Sequence, residues 1–498
     1  MRAAWAAAAV VLGTAVAATT YGAAAASGAS GDAALRRALD RYLSAAQAAG
    51  RAADGGRGSP DQIQAQYDAA RDLQEGLAAA APVSAGCQRL LGAALDLAGG
   101  EIDEAEGVDR PSRALRAAGT KLVGQATTEL ARLSRTCSKG PVRRTARPPE
   151  PRSPVSGEAF FDWVTARAPA GATSVEIVVD GTPTRRLRLT SRSVGLRTGA
   201  QPGVHDLQLR FLRGGRIVGS VDADDVWLLP SSSTVAAPPA LRDRRLDAQA
   251  AALDSGFDGT SAIWVENLRT GRYGGWNTDA LFPAASTVKL GELVAALARF
   301  GPRPEQSSAA YDLRTLAAWS SNLAANRLAR ELGGGAAIQV TLARMGATSS
   351  TYPGDYRVGT VLHTERGDAP DPPPRVSARV TTAHDLATVL YELQAAATGK
   401  PSALAATRLT VHEARVGLAL LLGSQPTGDN LGLFRPWTAP SFPMAQKQGW
   451  LSDARHTAAI LYRADGPTIA ILLTYRPGIS RPEAAKLGRG VVRLALSL

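Results

Sequence analysis

Ser286 and Lys289 stand three residues apart in the string Phe282-Pro283-Ala284-Ala285-Ser286-Thr287-Val288-Lys289-Leu290. The string reads as a helix start, where an i,i+3 spacing brings a hydroxyl and an amine onto one face. The helix N-terminus adds unpaired N–H groups and positive dipole beside the serine. A serine hydroxyl is a weak nucleophile until an adjacent base takes its proton, and a neutral lysine can be that base. Nucleophilic catalysis is the chemistry this pair could do; a plain serine-capped helix is the structural alternative.

Two further clusters lie downstream. Ser320-Ser321-Asn322 sits within Ala318-Trp319-Ser320-Ser321-Asn322-Leu323-Ala324-Ala325-Asn326, and Lys447-Gln448-Gly449, followed by Trp450, stands just before two apolar strands. Taken in order, the three clusters approximate the set S-x-x-K, S-D-N and K-T-G. With the approach strand Ile263-Trp264-Val265-Glu266-Asn267, the Thr270-Gly271 turn and Phe282-Pro283-Ala284-Ala285, residues 240–498 resemble the penicillin-recognising serine hydrolases, most closely the class A β-lactamases.

The resemblance implies a role for each position. Ser286 is the acyl-accepting nucleophile and Lys289 takes its proton, directly or through water. Ser320 shuttles a proton to the leaving nitrogen, and Asn322 hydrogen-bonds the substrate's side-chain amide. Lys447 supplies positive charge for the substrate carboxylate, Gln448 offers a hydrogen bond in place of the family's hydroxyl, and Gly449 lets its strand approach closely. The N–H groups of Ser286 and Trp450 form the oxyanion hole, whose two preorganised donors stabilise the tetrahedral intermediate.

The sequence departs from the family at several points. Ser321 replaces the middle acid, and the stretch between Ser286 and Ser320 is short. The family's deacylating glutamate has one candidate, Glu365 in His363-Thr364-Glu365-Arg366-Gly367-Asp368, and it lacks the asparagine four residues on, where Ala369 stands. The resemblance brings no cofactor and no metal. His412-Glu413 is not a zinc helix, because Val416 stands where the second ligand would be needed. His456 is expected at a structural edge near the third motif. No G-x-S-x-G elbow and no phosphate-binding glycine loop is present.

The elements that must position these groups follow from hydrophobic patterning. The last unit, 240–498, opens with a helix around Leu246–Leu253 and a strand at Ser261–Val265. It has a helical middle from Ser286 onward, and closes with strands at Thr457–Tyr462 and Thr468–Leu473 and a helix over 482–496. Strands at both ends of a helical middle fit an α/β domain with an antiparallel sheet.

Upstream, 31–138 reads as a small helical bundle, with helices starting at Pro60 and near Pro111 and one over Cys87–Ala98. Residues 157–230 carry short alternating strands with turns at Asp180-Gly181 and Gly214-Gly215, which argues for a small immunoglobulin-like β-sandwich. Proline-rich linkers over 139–156 and 231–239 separate the three.

The chain has 498 residues and a net charge of +12, with its densest basic run at Arg143-Arg144-Thr145-Ala146-Arg147 inside the first linker. A solvated linker is the plain reading of that run, and contact with an anionic cell wall the sharper one. No nucleic-acid module is legible. Arg2, the apolar stretch Ala3–Ala18 and small residues to about Ala26 read as an export signal over 1–26, with an uncleaved anchor as the alternative. Export makes a Cys87–Cys137 disulfide the expectation for the only two cysteines, against two buried thiols.

These readings converge on a secreted or cell-envelope monomer acting on a β-lactam or a peptidoglycan peptide through acylation of Ser286. A D-alanyl-D-alanine peptidase and a slow sensor module are the alternatives.

Overall fold

A computed structural model describes residues 29–52, 60–80, 83, 87–109, 112–133, 159–160, 163–230, 233, 235, 240–358, 379–424 and 428–498. The expectations about the export signal, Cys137, the proline-arginine linker and Glu365 fall outside the described residues. The chain divides into two compact units: Met1–Glu150 with Ser321–Leu323 and Tyr356–Thr360, and the remainder.

The first unit contains four described helices: α1 (Ala29–Ala52), α2 (Pro60–Ala80), α3 (Gln88–Asp109) and α4 (Arg113–Leu133). On α1, Leu35, Leu39, Tyr42, Leu43 and Ala46 recur at helical spacing, and they bury against Leu73, Leu77, Leu97 and Leu130. Helix α3 runs well beyond Ala98, where the sequence suggests its end. Gly100 and Gly119 serve packing: a Cβ on Gly100 would lie 2.8 Å from Val123 Cγ2, and one on Gly119 would lie 2.6 Å from the Gly100 carbonyl oxygen. Glycine therefore lets α3 and α4 touch backbone to backbone, at the usual propensity cost inside a helix.

A polar knot sits in this core. Tyr42 Oη donates to Glu101 at 3.0 Å, and Gln66 Nε2 donates to Glu101 and Glu104. Burial pushes the Glu101 carboxyl up to about 7. Cys87 is buried and disulfide-bonded. Among the described residues no helix is long and apolar enough to cross a membrane.

The second unit begins with a strand-rich segment: β1 (Ala159–Phe160), β2 (Trp163–Arg167), β3 (Ser174–Val179), β4 (Thr182–Arg188), β5 (Ser193–Arg197), β6 (Gly203–Arg213) and β7 (Arg216–Leu228). Five of them form one sheet in the order β1-β7-β6-β3-β4, while β2 and β5 form a separate antiparallel pair. Asp180 and Gly181 both take positive φ between paired Val179 and Thr182, the backbone of a type I′ hairpin turn. Val175, Ile177, Leu209 and Phe211 of the large sheet share a core with Leu196 of the pair. The sequence suggests two strands within 217–229. One long β7 is found instead, because pairing with β6 continues through Asp222 and Ala223 across a register shift.

The rest of this unit is an α/β domain. Strands β8 (Leu241–Arg242), β9 (Thr260–Asn267), β10 (Arg272–Trp276), β13 (Met444–Trp450), β14 (Ala454–Arg463) and β15 (Gly466–Tyr475) form a sheet ordered β13-β14-β15-β9-β10-β8. All pairings but β8–β10 are antiparallel. Two short strands, β11 (Phe282–Pro283) and β12 (Val380–Thr381), pair separately.

Helices α5 (Arg244–Ser255) and α13 (Arg481–Leu496) cover one face, packing Leu246, Val491 and Leu494 on Ile263, Val265 and Leu472. Within the span between them lie α6 (Lys289–Phe300), α7 (Ala310–Ala318), α8 (Asn322–Glu331), α9 (Gly335–Arg344), α10 (Ala383–Ala397), α11 (Pro401–Thr407) and α12 (Val411–Leu422). Of these, α10 and α12 lie against the other face of the sheet. With both faces covered, β15 is buried from Gly466 to Thr474. Its Ile469-Ala470-Ile471-Leu472-Leu473 run therefore shows no polar alternation.

Candidate active site

Ser286 lies in a tight turn between β11 and α6. Strand β11 pairs with β12, and Ala284 N–H donates to the Arg379 carbonyl at 3.0 Å. Ala285 then takes φ +48, an unusual conformation for a residue with a Cβ. Lys289 N–H reaches the Ser286 carbonyl at 3.3 Å and Leu290 N–H reaches that of Thr287 at 3.1 Å. These i→i+3 bonds make a 3₁₀-type lead-in to α6, which starts at Lys289. Ser286 therefore stands just ahead of the helix rather than within it. It is half-buried, whereas Ala284, Ala285, Thr287, Val288 and Lys289 are all buried.

Two lysines converge on a single residue. Lys289 Nζ donates to the Ser320 carbonyl oxygen at 2.8 Å, and Lys447 Nζ donates to Ser320 Oγ at 2.7 Å. Both lysines are 0 % exposed. Ser320 itself takes φ +65, a second left-handed non-glycine residue at a motif position. Such strain costs on the order of 1–3 kcal/mol and concentrates where function requires a fixed geometry. Burial, then the Lys289 charge, holds the Lys447 ammonium well below the usual lysine range, while Glu292 pulls the other way.

The third motif approaches the first across the sheet edge. Lys447 and Gly449 alternate onto one face of β13, and a Cβ built on Gly449 would lie 3.0 Å from the Ser286 backbone nitrogen. A side chain there would press on the N–H expected to serve the oxyanion. Trp450 ends the strand, half-buried, with the Arg455 guanidinium 5.8 Å from its ring centre.

Two of the expected side chains are directed elsewhere. Gln448 Nε2 donates to Asn430 Oδ1, away from Ser286. Ser321–Leu323 belongs to the first unit, and there Ser321 Oγ donates to Glu106 at 2.6 Å. Asn322 N and Nδ2 both donate to Asp109, each at 3.1 Å.

Glu292 and Tyr352 belong to none of the three motifs. Glu292 lies one turn past Lys289 on α6, is 0 % exposed, and accepts from Tyr352 Oη at 2.7 Å. The signal was available: a lone acid inside Lys289-Leu290-Gly291-Glu292-Leu293-Val294, an otherwise apolar run after the lysine. Tyr352 lies in a loop that carries no motif.

His456 has a definite structural job. Its Nδ1 accepts from Thr474 N–H at 3.2 Å, which leaves Nε2–H to donate to the Pro283 carbonyl at 2.6 Å. The ring also packs edge-on against Phe282, 6.2 Å away. Burial lowers its pKa to about 4. The unfolded chain accepts the proton near 6.5 and the folded chain resists until about 4. Above 6.5 the residue is neutral in both states and its contribution is intact. It is lost progressively as the pH falls through that window, amounting to roughly 3 kcal/mol at its lower end. His456→Gln is expected to flatten the fall in unfolding free energy between these pH values; an unchanged slope in urea melts would assign the acid sensitivity to other groups.

This arrangement can carry out serine-centred acyl transfer. It offers a hydroxyl on a rigid turn, an amine one helical turn away, a second hydroxyl held by a second amine, and a glycine strand that leaves the Ser286 N–H uncovered.

The chain belongs to the β-lactamase enzyme family: the family model matches residues 245–303 and 301–497, half of the chain. Searched by sequence, the curated proteins give no match. Among solved structures, the chain is similar to a β-lactamase from Desulfarculus baarsii at 19% identity, covering 50% of this chain and 97% of that one with a TM-score of 0.40. It is similar to PBP-A at 18% identity, covering 53% and 100% with a TM-score of 0.41. A PBP-A mutant solved as an acyl-enzyme complex with penicillin G is 20% identical, with 53% and 100% coverage and a TM-score of 0.40.

Proposed function

We propose that this protein is an exported serine hydrolase of the class A β-lactamase type, acylated at Ser286 by β-lactams or related amides. The observation that carries the reading is the convergence of Lys289 and Lys447 on the two oxygens of Ser320, with Gly449 against the Ser286 nitrogen.

In this mechanism Lys289 takes the Ser286 proton as Oγ attacks the carbonyl carbon. The Ser286 and Trp450 N–H groups stabilise the oxyanion. As the C–N bond breaks, Ser320 passes a proton to the leaving nitrogen. Lys447, held at Ser320 Oγ, supplies the cationic end of that relay and attracts the substrate carboxylate. Water then releases the acyl group, with Glu365 as the one candidate base for that step.

A D-alanyl-D-alanine peptidase or a slow β-lactam or peptidoglycan sensor is the second reading. The commitment of Asn322 to Asp109 and of Gln448 to Asn430 favours it, because both amides serve substrate in the first reading. The segment over 1–26 is proposed as the export signal, 31–138 as a helical module and 157–230 as an immunoglobulin-like sandwich, and the basic linker over 139–156 as the cell-wall contact. A monomer is proposed.

Turnover of a chromogenic cephalosporin, followed together with intact mass, separates the readings. Fast hydrolysis with a transient adduct is the expected result for the β-lactamase. A stable adduct without turnover supports the peptidase or sensor, and the absence of any adduct sinks the acyl-serine reading.

A further inference from the structure

We propose that Glu292 is the built-in counter-anion of the two active-site lysines and acts as a positioning residue through Lys289, setting the pH at which that amine is free to accept a proton. The proposal rests on the acyl-serine reading only for its catalytic consequence.

The placement is specific. Lys289 and Glu292 are three residues apart on α6, a spacing that puts their side chains on one face. The surrounding residues Leu290, Gly291, Leu293 and Val294 are all buried, so nothing in the helix pattern calls for an acid there. One carboxylate oxygen accepts from Tyr352 Oη at 2.7 Å; the other is buried with no hydrogen-bond partner. The Arg379 guanidinium lies over the Tyr352 ring, 5.1 Å from its centre. A buried acid left half-satisfied is costly, and it persists where a neighbouring charge gives it a task.

Charge balance supplies that task. Lys289 and Lys447 are both fully buried and repel one another. Among the groups acting on Lys447, Glu292 is the one that opposes this repulsion. The charged and titratable groups that face Glu292 are Lys289, Tyr352, Arg379 and Lys447, all favouring its ionised form. Burial opposes them and carries the carboxyl up to about 8. Once ionised, this one carboxylate offsets one of the two ammonium charges. Lys447 is bound to Ser320 Oγ and the Gln448 carbonyl, both of which accept from it. Lys289, three residues from both Glu292 and Ser286, is the lysine through which an ionised Glu292 would act on the nucleophile.

The test follows the lysine directly and then the reaction. In the full chain with ¹³C-labelled lysine, the Lys289 side-chain resonance, assigned with Lys289→Gln, is titrated by NMR. Glu292→Gln removes the anion and is expected to lower the Lys289 midpoint by about one pH unit or more. Tyr352→Phe deletes a single oxygen and a bond that favours ionised Glu292. It is expected to move the midpoint the same way by less, and it decides the matter if Glu292→Gln does not fold.

The acidic limb of adduct formation with penicillin G, read by intact mass, should move down with the midpoint. An unchanged Lys289 midpoint in the folded variants overturns the role of Glu292 even if the adduct forms. A shifted midpoint with no adduct in the parent protein leaves Glu292 in its role and removes the acyl-serine reading instead.

Discussion

Ser286→Ala is expected to form no covalent adduct with penicillin G or a chromogenic cephalosporin under conditions in which the parent chain gains the mass of the acyl group. The effect is all or none because no other hydroxyl occupies this position. Ser286 is the half-buried residue in a buried turn, and the strained Ala285 before it fixes its direction. Ser320 Oγ is hydrogen-bonded to Lys447, and Ser321 Oγ to Glu106. Thr287 Oγ1 donates to the Ala284 carbonyl at 2.6 Å from a buried side chain.

Removing one oxygen from a partly exposed side chain should change stability by no more than about 0.5 kcal/mol, so a melt near that of the parent serves as the control. Non-covalent binding should survive, since Lys447 and Gly449 are untouched. An adduct that persists on Ser286→Ala, mapped by peptide mass to another residue, would mean that the two lysines serve a different nucleophile.

Much of this site is legible in the sequence because its parts are local. Ser286 and Lys289 need only an i,i+3 spacing to be read together, and Lys447 and Gly449 are read through the resemblance to the family's third motif. Gly449 is legible as a close approach because no other residue leaves room for a facing backbone nitrogen. The turn at Asp180-Gly181 is readable for the same reason: it is fixed by a few adjacent residues.

What the sequence conceals depends on long-range contacts. Glu292 is visible in the sequence as a lone acid in an apolar run, but its partner Tyr352, 60 residues away, is not. His456 is tied to Pro283, 173 residues distant. Asn322 looks free for substrate until Asp109 is placed beside it. The extension of α3 past Ala98 is hidden in a similar way, because Gly100, a residue that weakens an isolated helix, is where α3 packs on Gly119 of α4. Gln448 illustrates the limits of motif matching: it stands in the right register for the family's hydroxyl, yet its amide goes to Asn430.

Lys289→Gln should separate the two things that Lys289 does. Its Nζ holds the Ser320 carbonyl at 2.8 Å, which helps keep that residue at its strained φ of +65. In the proposed mechanism the same nitrogen accepts the Ser286 proton. A glutamine amide can donate to a carbonyl but cannot act as a base at neutral pH. Acylation by penicillin G is therefore expected to fall by roughly 10²- to 10⁴-fold, the usual worth of a positioned general base, with thermal stability largely kept.

Lys289→Met keeps the volume but loses the donor as well. It should acylate as poorly as Lys289→Gln and also lose about 1–3 kcal/mol of stability, because the Ser320 carbonyl loses a buried partner. Rates from intact-mass time courses and melts of the two variants distinguish the base from the strut. If Lys289→Gln acylates nearly as fast as the parent while Lys289→Met is impaired, Lys289 is a strut for Ser320. The proton of Ser286 must then leave by another route, and Lys447, held against Ser320 Oγ at 2.7 Å, is the group positioned to receive it through that hydroxyl.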